Sequence, residues 1–331
     1  MYTELSQEAQ IEFLSGVVPE FLAQYELEKA TFINVNHGFN STFKVDASDG
    51  RSYALRINTN SQKNKDQVAG EVQLLELISE NKVIEAPVPV RTASGEPYSK
   101  ANINFLGREV TAILNHWIEG EDLGDEITDD ELWQLGAAMA KLHQFSRKIP
   151  DNLVKVFPRI DRTLLNSPDN LRKDEPRFDS EIRKLIDKAF EATESIFTEI
   201  AEISTPMLIH ADLHPSNVLK TKSGIAVIDF DDVGIGHGIQ DLAITFFYLR
   251  DMPGKEDLVL EGYRSVAKPP HLNSKHIEAL LLSRQLLLLN DLLDVTTAEE
   301  IAITPEYIEI SKMRLKNFFD TGQFKLIRTL G

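Results

Sequence analysis

Two polar loops, each hung from a short apolar run, constrain this chain more than any other feature. The first is Met207-Leu-Ile-His-Ala-Asp-Leu-His-Pro-Ser-Asn-Val-Leu219, and the second is Ile225-Ala-Val-Ile-Asp-Phe-Asp-Asp232. The apolar runs read as buried strands, so the loops fall at strand ends. There they gather His210, Asp212 and Asn217 with Asp229, Asp231 and Asp232. Carboxylates and an amide concentrated this way suit a hard cation and the phosphates it carries.

What precedes the loops is β-rich. Strands are expected at 30–35, 42–47 and 52–57, the last two joined through Asp49-Gly50, a strong hairpin signal. A helix over 66–79 follows, then an extended Ala86-Pro-Val-Pro-Val and two strands near Ile103 and over 109–116. Apolar spacing over 6–24 predicts a leading helix that Pro19 bends or interrupts. Beyond about 121 the pattern is helical: 129–146, 179–203, 239–250, 274–295 and 305–319. A polar loop is expected over 166–179. The reading is an α+β chain of two lobes, a small antiparallel-sheet N-lobe over 1–115 and a mostly helical C-lobe over 122–331. A short connector over 116–121 joins them.

Bulk properties narrow the class. At 331 residues, two lobes are the natural expectation. The absence of cysteine excludes disulfides, thiolate metal sites and a cysteine nucleophile, and suits a reducing cytoplasm. The N-terminus does not read as a signal peptide, and the most apolar run, 279–293, is broken by Arg284, Gln285, Asn290 and Asp291, so no membrane role is expected. A formal charge of −17 disfavours nucleic acid as a partner and favours a cationic substrate.

The spacing His210-x-Asp212-x-x-x-x-Asn217 is that of a kinase catalytic loop. Asp212 would accept or orient the proton of an attacking hydroxyl. Asn217 and Asp229 would ligate the metal that bridges the nucleotide phosphates. His210-x-Asp212-x-His214 also has an alternation seen in zinc sites, but no further ligands complete such a set, and His214 reads as a loop residue.

These motifs resemble the aminoglycoside phosphotransferase and choline kinase superfamily, also called the phosphotransferase enzyme family. The likeness rests on His210-Ala-Asp212-Leu-His-Pro-Ser-Asn217, on Val227-Ile-Asp229 with Gly236 and Gln240-Asp241-Leu-Ala243, and on Leu135-Gly136 through His143. It implies a protein-kinase-like fold, ATP and Mg2+ as cofactors, Asp212 as the catalytic base, and Asn217 and Asp229 as magnesium ligands. His210 and Asp241 are implied to brace the loop, and Asp231 to stand in a second metal shell.

In the first lobe the resemblance places Asn36–Thr42 as the phosphate-covering hairpin loop, with Gly38, Asn40, Ser41 and Thr42 as donors. Arg56 stands where a typical member has lysine; it keeps the charge but adds a planar fork, with Glu71 as its expected partner. The connector Asn115–Ile118, including His116, is expected to hold adenine through backbone groups. Leu55 and Ile228 either sandwich the base or belong to the core. The acceptor is expected between Asp212 and the later helices, lined by Asp232, Arg284 and Asp291.

The expected activity is transfer of the γ-phosphoryl group of ATP to the hydroxyl of a small molecule, by a monomer or homodimer. The acceptor is an amino alcohol, homoserine-like compound, sugar or aminoglycoside. Tyr53-Ala-Leu-Arg-Ile57 and Ala86-Pro-Val-Pro resemble the homoserine-kinase-like and stress-response-kinase-like branches. Two alternatives stand beside this: a protein serine/threonine kinase, and a haloacid-dehalogenase-type phosphatase with Asp229 as nucleophile and Asp231 as acid.

Overall fold

A computed structural model of the chain describes residues 2–61, 63–124 and 127–329. It forms two compact units, residues 1–119 with 295–302, and residues 120–294 with 303–331.

The first unit starts with α1 (Gln7–Leu22), capped by the Ser6 side chain, and the helix runs through Pro19 without a break. An antiparallel sheet follows: β1 (Thr31–His37), β2 (Ser41–Asp46) and β3 (Ser52–Ile57). After α2 (Lys65–Glu80) come β4 (Pro89–Val90), β5 (Ser99–Ile103) and β6 (Arg108–His116). The order is β1-β2-β3-β6-β4, with β5 also on β6. Alternation decides which side chains go inward. Phe43, Val45, Leu55 and Ile57 pack with Leu14, Val18 and Phe21 of α1. The opposite face takes α2, where Val68 and Val72 meet Ile113. Arg56 pairs with Thr42 on one side and Ile113 on the other, so it stands on the α2 face. A capping box between Asn64 and Gln67 fixes the start of α2 and hence the placement of Glu71 two turns later.

The second unit begins with β7 (Glu121–Asp122) and α3 (Asp129–Ser146), which opens on a Thr128–Glu131 capping box. A single turn α4 (Asp151–Val154) and the long α5 (Ser180–Ile203) follow. Next come β8 (Met207–Ile209), β9 (Val218–Thr221), β10 (Gly224–Val227) and β11 (Gly234–Gly236). The unit is completed by α6 (Gly238–Leu249), α7 (Lys255–Val266), α8 (Ser274–Asp291) and most of α9 (Ala298–Thr321). The helix α8 is apolar nearly all round and lies in a core with Ile186 and Phe190 of α5 and Ile244 of α6.

Three elements depart from expectation. No helix is expected between 250 and 274, where α7 stands. Gly136 of α3 and Gly262 of α7 serve packing: a Cβ at Gly262 would lie 1.8 Å from the Trp133 carbonyl oxygen, and one at Gly136 would lie 1.8 Å from that of Val259. The two helices therefore touch backbone to backbone. α9 starts seven residues before the proline expected to open it, and Pro305 sits inside the helix. α8 ends at Asp291 rather than 295. No helix among the described residues is long and apolar enough to cross a membrane.

Candidate active site

The strand pair β9–β10 builds the centre of the site. Its register sets Val218 opposite Val227, and the Ile228 N–H donates to the Asn217 carbonyl at 2.9 Å. Asn217 enters the ladder as Asp229 leaves it, so the two expected metal ligands are brought side by side. Asp229 has a φ of 58°, a left-handed conformation costly for a residue with a Cβ.

His210 ties the two loops together. Its Nδ1 accepts the Asp212 N–H at 3.3 Å, which leaves the proton on Nε2 to donate to the Ile228 carbonyl at 3.1 Å. Ala211, also left-handed at φ 66°, turns the N–H groups of His210 and Ala211 onto the two oxygens of Asp241, at 3.1 and 2.7 Å. His143 contacts the same carboxylate through Nε2 at 2.9 Å, and its Nδ1 meets the Tyr263 hydroxyl at 2.9 Å. Burial works against the Asp241 charge. The bond and field of His143, with the Ala211 amide, outweigh it and hold the carboxyl below the usual range.

Asp212 is held on both oxygens. The Asn217 amide nitrogen donates to Oδ2 at 2.8 Å and to the Asp212 carbonyl at 2.9 Å. Both amide protons are thereby used, and the orientation of Asn217 is fixed with its oxygen left for a cation. Oδ1 accepts from Arg284, which also donates to the Tyr248 hydroxyl at 2.8 Å. Tyr248 stacks on His214 at 4.6 Å, and His214 Nε2 lies 3.5 Å from Asp212 Oδ2. Burial would push the Asp212 carboxyl up. The Arg284 guanidinium, helped by His214 and His210, reverses this and holds it well below the usual carboxylate range. Burial likewise pushes the Tyr248 hydroxyl up to about 12, despite Arg284 beside it.

Of the residues expected to line an acceptor, Arg284 reaches Asp212 directly. Asp232 is exposed and Asp231 is buried, and both lie close enough to be felt electrostatically. Asp291 is partly buried near Arg284, and burial pushes its carboxyl up to about 6. Among the described residues no group of three or more His, Asp or Glu side chains is clustered to hold a metal.

In the first unit, Arg56 donates twice from Nη2 to Glu71, at 2.7 and 2.9 Å. Lys63, which sequence reasoning passed over, contacts the same carboxylate at 2.8 Å. Glu71 is almost fully buried, and two cations converge on its carboxylate.

The hairpin loop differs from expectation in its side chains. The Ser41 hydroxyl is fully buried and shared with His37 at 2.8 Å and Thr59 at 2.9 Å, so it is committed to the interior of the unit. Asn40 is also buried, while Thr42 stays partly open beside Arg56. Gly38 has no left-handed φ, and a Cβ there would meet only ordinary contacts, so a larger residue would fit. At the connector, the N–H groups of His116 and Trp117 donate to Val88 and Ser52 carbonyls at 2.9 and 3.0 Å. Those two amides are used within the sheet rather than offered to a base. Leu55 is core.

The fold and this arrangement of loops define a kinase-like protein. The phosphotransferase enzyme family matches residues 31–265, and the chain belongs to that family. Solved structures share the fold at low identity. A microcompartment-associated aminopropanol kinase aligns with a TM-score of 0.71 and 18% identity, over 95% of this chain and 100% of that one. An amicoumacin kinase in complex with AMP-PNP, Ca2+ and Ami aligns at 0.64 and 18%, over 88% and 90%. A spectinomycin phosphotransferase in complex with ADP and spectinomycin aligns at 0.60 and 14%, over 94% and 99%. No curated protein matches the chain by sequence.

Proposed function

We propose that the chain is an ATP-dependent kinase that transfers the γ-phosphoryl group to a hydroxyl of a small molecule. The observation that carries this is the pairing of Asp212 with Asn217. It leaves a carboxylate to receive a hydroxyl and an amide oxygen to receive a cation, on one short loop. The antiparallel order β10-β9-β7 argues against the phosphatase alternative, whose nucleophilic aspartate would end a strand of a parallel βα sheet.

Asp212 takes the hydroxyl hydrogen of the acceptor and points the oxygen lone pair at phosphorus. Arg284 keeps Asp212 ionised and weakly basic, so the proton moves late, as suits a loose phosphoryl transition state that needs little nucleophile activation. Asn217 and Asp229 are the ligands for magnesium, which when bound neutralises charge on the β- and γ-phosphates. Arg56 and Lys63, both fixed by Glu71, take phosphate oxygens. Asp232 and Asp291 favour an acceptor that carries an amine, in keeping with the chain's −17 charge. Membership of the phosphotransferase family supports the reaction, and the small-molecule kinases of the same fold support the class of acceptor.

The test is incubation with Mg2+ and ATP against amino alcohols, hydroxy amino acids, sugars, aminoglycosides and casein, with product detected by phosphorus NMR. The reading predicts a new phosphate monoester on a small acceptor. Phosphate appearing on casein alone would replace it with a protein kinase.

A further inference from the structure

A cavity of about 750 Å3 lies within the second unit among the C-terminal ends of α3, α5 and α7 and the N-terminal ends of α6 and α8. Its size is that of a small-molecule site. Asp212, Asn217, Asp229 and Arg284 are all absent from its walls. In a chain with 52 acidic against 35 basic residues, no wall residue is Asp or Glu. Instead Arg147, Lys268 and His271 stand exposed around it, with Ile239 and the ring of Tyr263 as apolar surface.

His276 also lines the space; it is 4% exposed, its Nε2 meets Glu199 at 3.2 Å, and its Nδ1 is buried with no hydrogen-bond partner. The first turn of α6, at Gly238 and Ile239, also borders the space and adds the positive end of a twelve-residue helix.

We propose that this cavity binds a small organic anion, a phosphate or carboxylate group on a compact apolar body. Arg147 and Lys268 meet the charge, while Tyr263 and Ile239 pack the body. The site is separate from the phosphotransfer centre and does not rest on the activity proposed for it. One wall holds His143, which bonds Asp241 through Nε2 and the Tyr263 hydroxyl through Nδ1, so an occupant touches residues that brace the catalytic loop.

The test is isothermal titration of the full chain with phenyl phosphate, with benzylamine as the cationic counterpart of similar body. Saturable binding of phenyl phosphate is expected, with benzylamine bound at least tenfold more weakly. The double variant Arg147→Gln/Lys268→Gln, whose side chains are exposed, should weaken phenyl phosphate at least tenfold and leave the melting temperature unchanged. Absence of saturable binding, equal binding of benzylamine, or full retention of phenyl phosphate by the folded double variant would each overturn the proposal.

Discussion

The guanidinium of Arg284, on α8, donates to the carboxylate of Asp212 and to the hydroxyl of Tyr248 from a single nitrogen. The pair joins residues 72 positions apart, and Arg284 itself is only 6% exposed. One of two aspartate oxygens is thus set by a helix core rather than by the loop.

Replacing Arg284 with methionine removes that hold. The prediction is a fall in kcat on the order of 100-fold, the scale of an ångström-sized misplacement, with acceptor KM changed far less. Arg284→Lys restores the charge without the fork and is expected to recover part of the loss. Steady-state kinetics on both variants decides this; equal activity of wild type and Arg284→Met would leave the contact without a role.

Asp291 supplies a pH signature. Its carboxyl is raised to about 6 by burial, against about 3.9 in an unfolded chain. A raised carboxyl pKa means the folded state holds its proton more tightly. The stability this provides is full below about pH 4 and is lost as pH climbs through 6. Asp291→Asn, which cannot ionise, should therefore come close to wild type near pH 4 and exceed it near pH 7 by roughly 3 kcal/mol. Urea midpoints at the two pH values measure this; a constant gap would show that Asp291 does not titrate as described.

Two cations share Glu71, so neither is expected to be dispensable for nucleotide binding. Lys63→Met and Arg56→Met should each raise the KM for ATP about tenfold, the scale of one charge-assisted hydrogen bond. The acceptor KM should stay near its wild-type value. An unchanged KM for ATP in Lys63→Met would mean that Lys63 serves Glu71 alone.

The backbone contact of α3 with α7 leaves no room for a side chain. Gly136→Ala should destabilise the protein by about 3 kcal/mol or more, because the added methyl would overlap a carbonyl and the helices must part. Ala is the better helix former, so a gain in stability would contradict the packing described.

Local chemistry was readable in the sequence where it decided the outcome alone. The Asp49-Gly50 turn and the two-residue alternation around it set β2 and β3, and the spacing of Asp212 and Asn217 ends in a direct hydrogen bond. The partnership of Arg56 with Glu71 was also legible, since a strand and the following helix face each other. What stayed hidden depends on distant packing. Lys63 gave no signal of its own, being one lysine in a polar loop. Ser41 looked like a phosphate donor because its partners His37 and Thr59 are revealed only by the sheet. Gly262 carries no signal in sequence, and its value lies in close approach to α3. Tyr248 is ordinary in sequence and matters only because α8 brings Arg284 to it.

The central claim is that Asp212 handles the acceptor hydroxyl, and the most direct measurement is acceptor-dependent ADP release from Mg-ATP by wild type and Asp212→Asn. Asparagine preserves the shape and a hydrogen bond but cannot take the proton. The prediction is a loss of at least about 100-fold in kcat with nucleotide affinity retained, as expected for a general base worth 10²–10⁴ in rate. Equal acceptor-dependent release by the two proteins would contradict it.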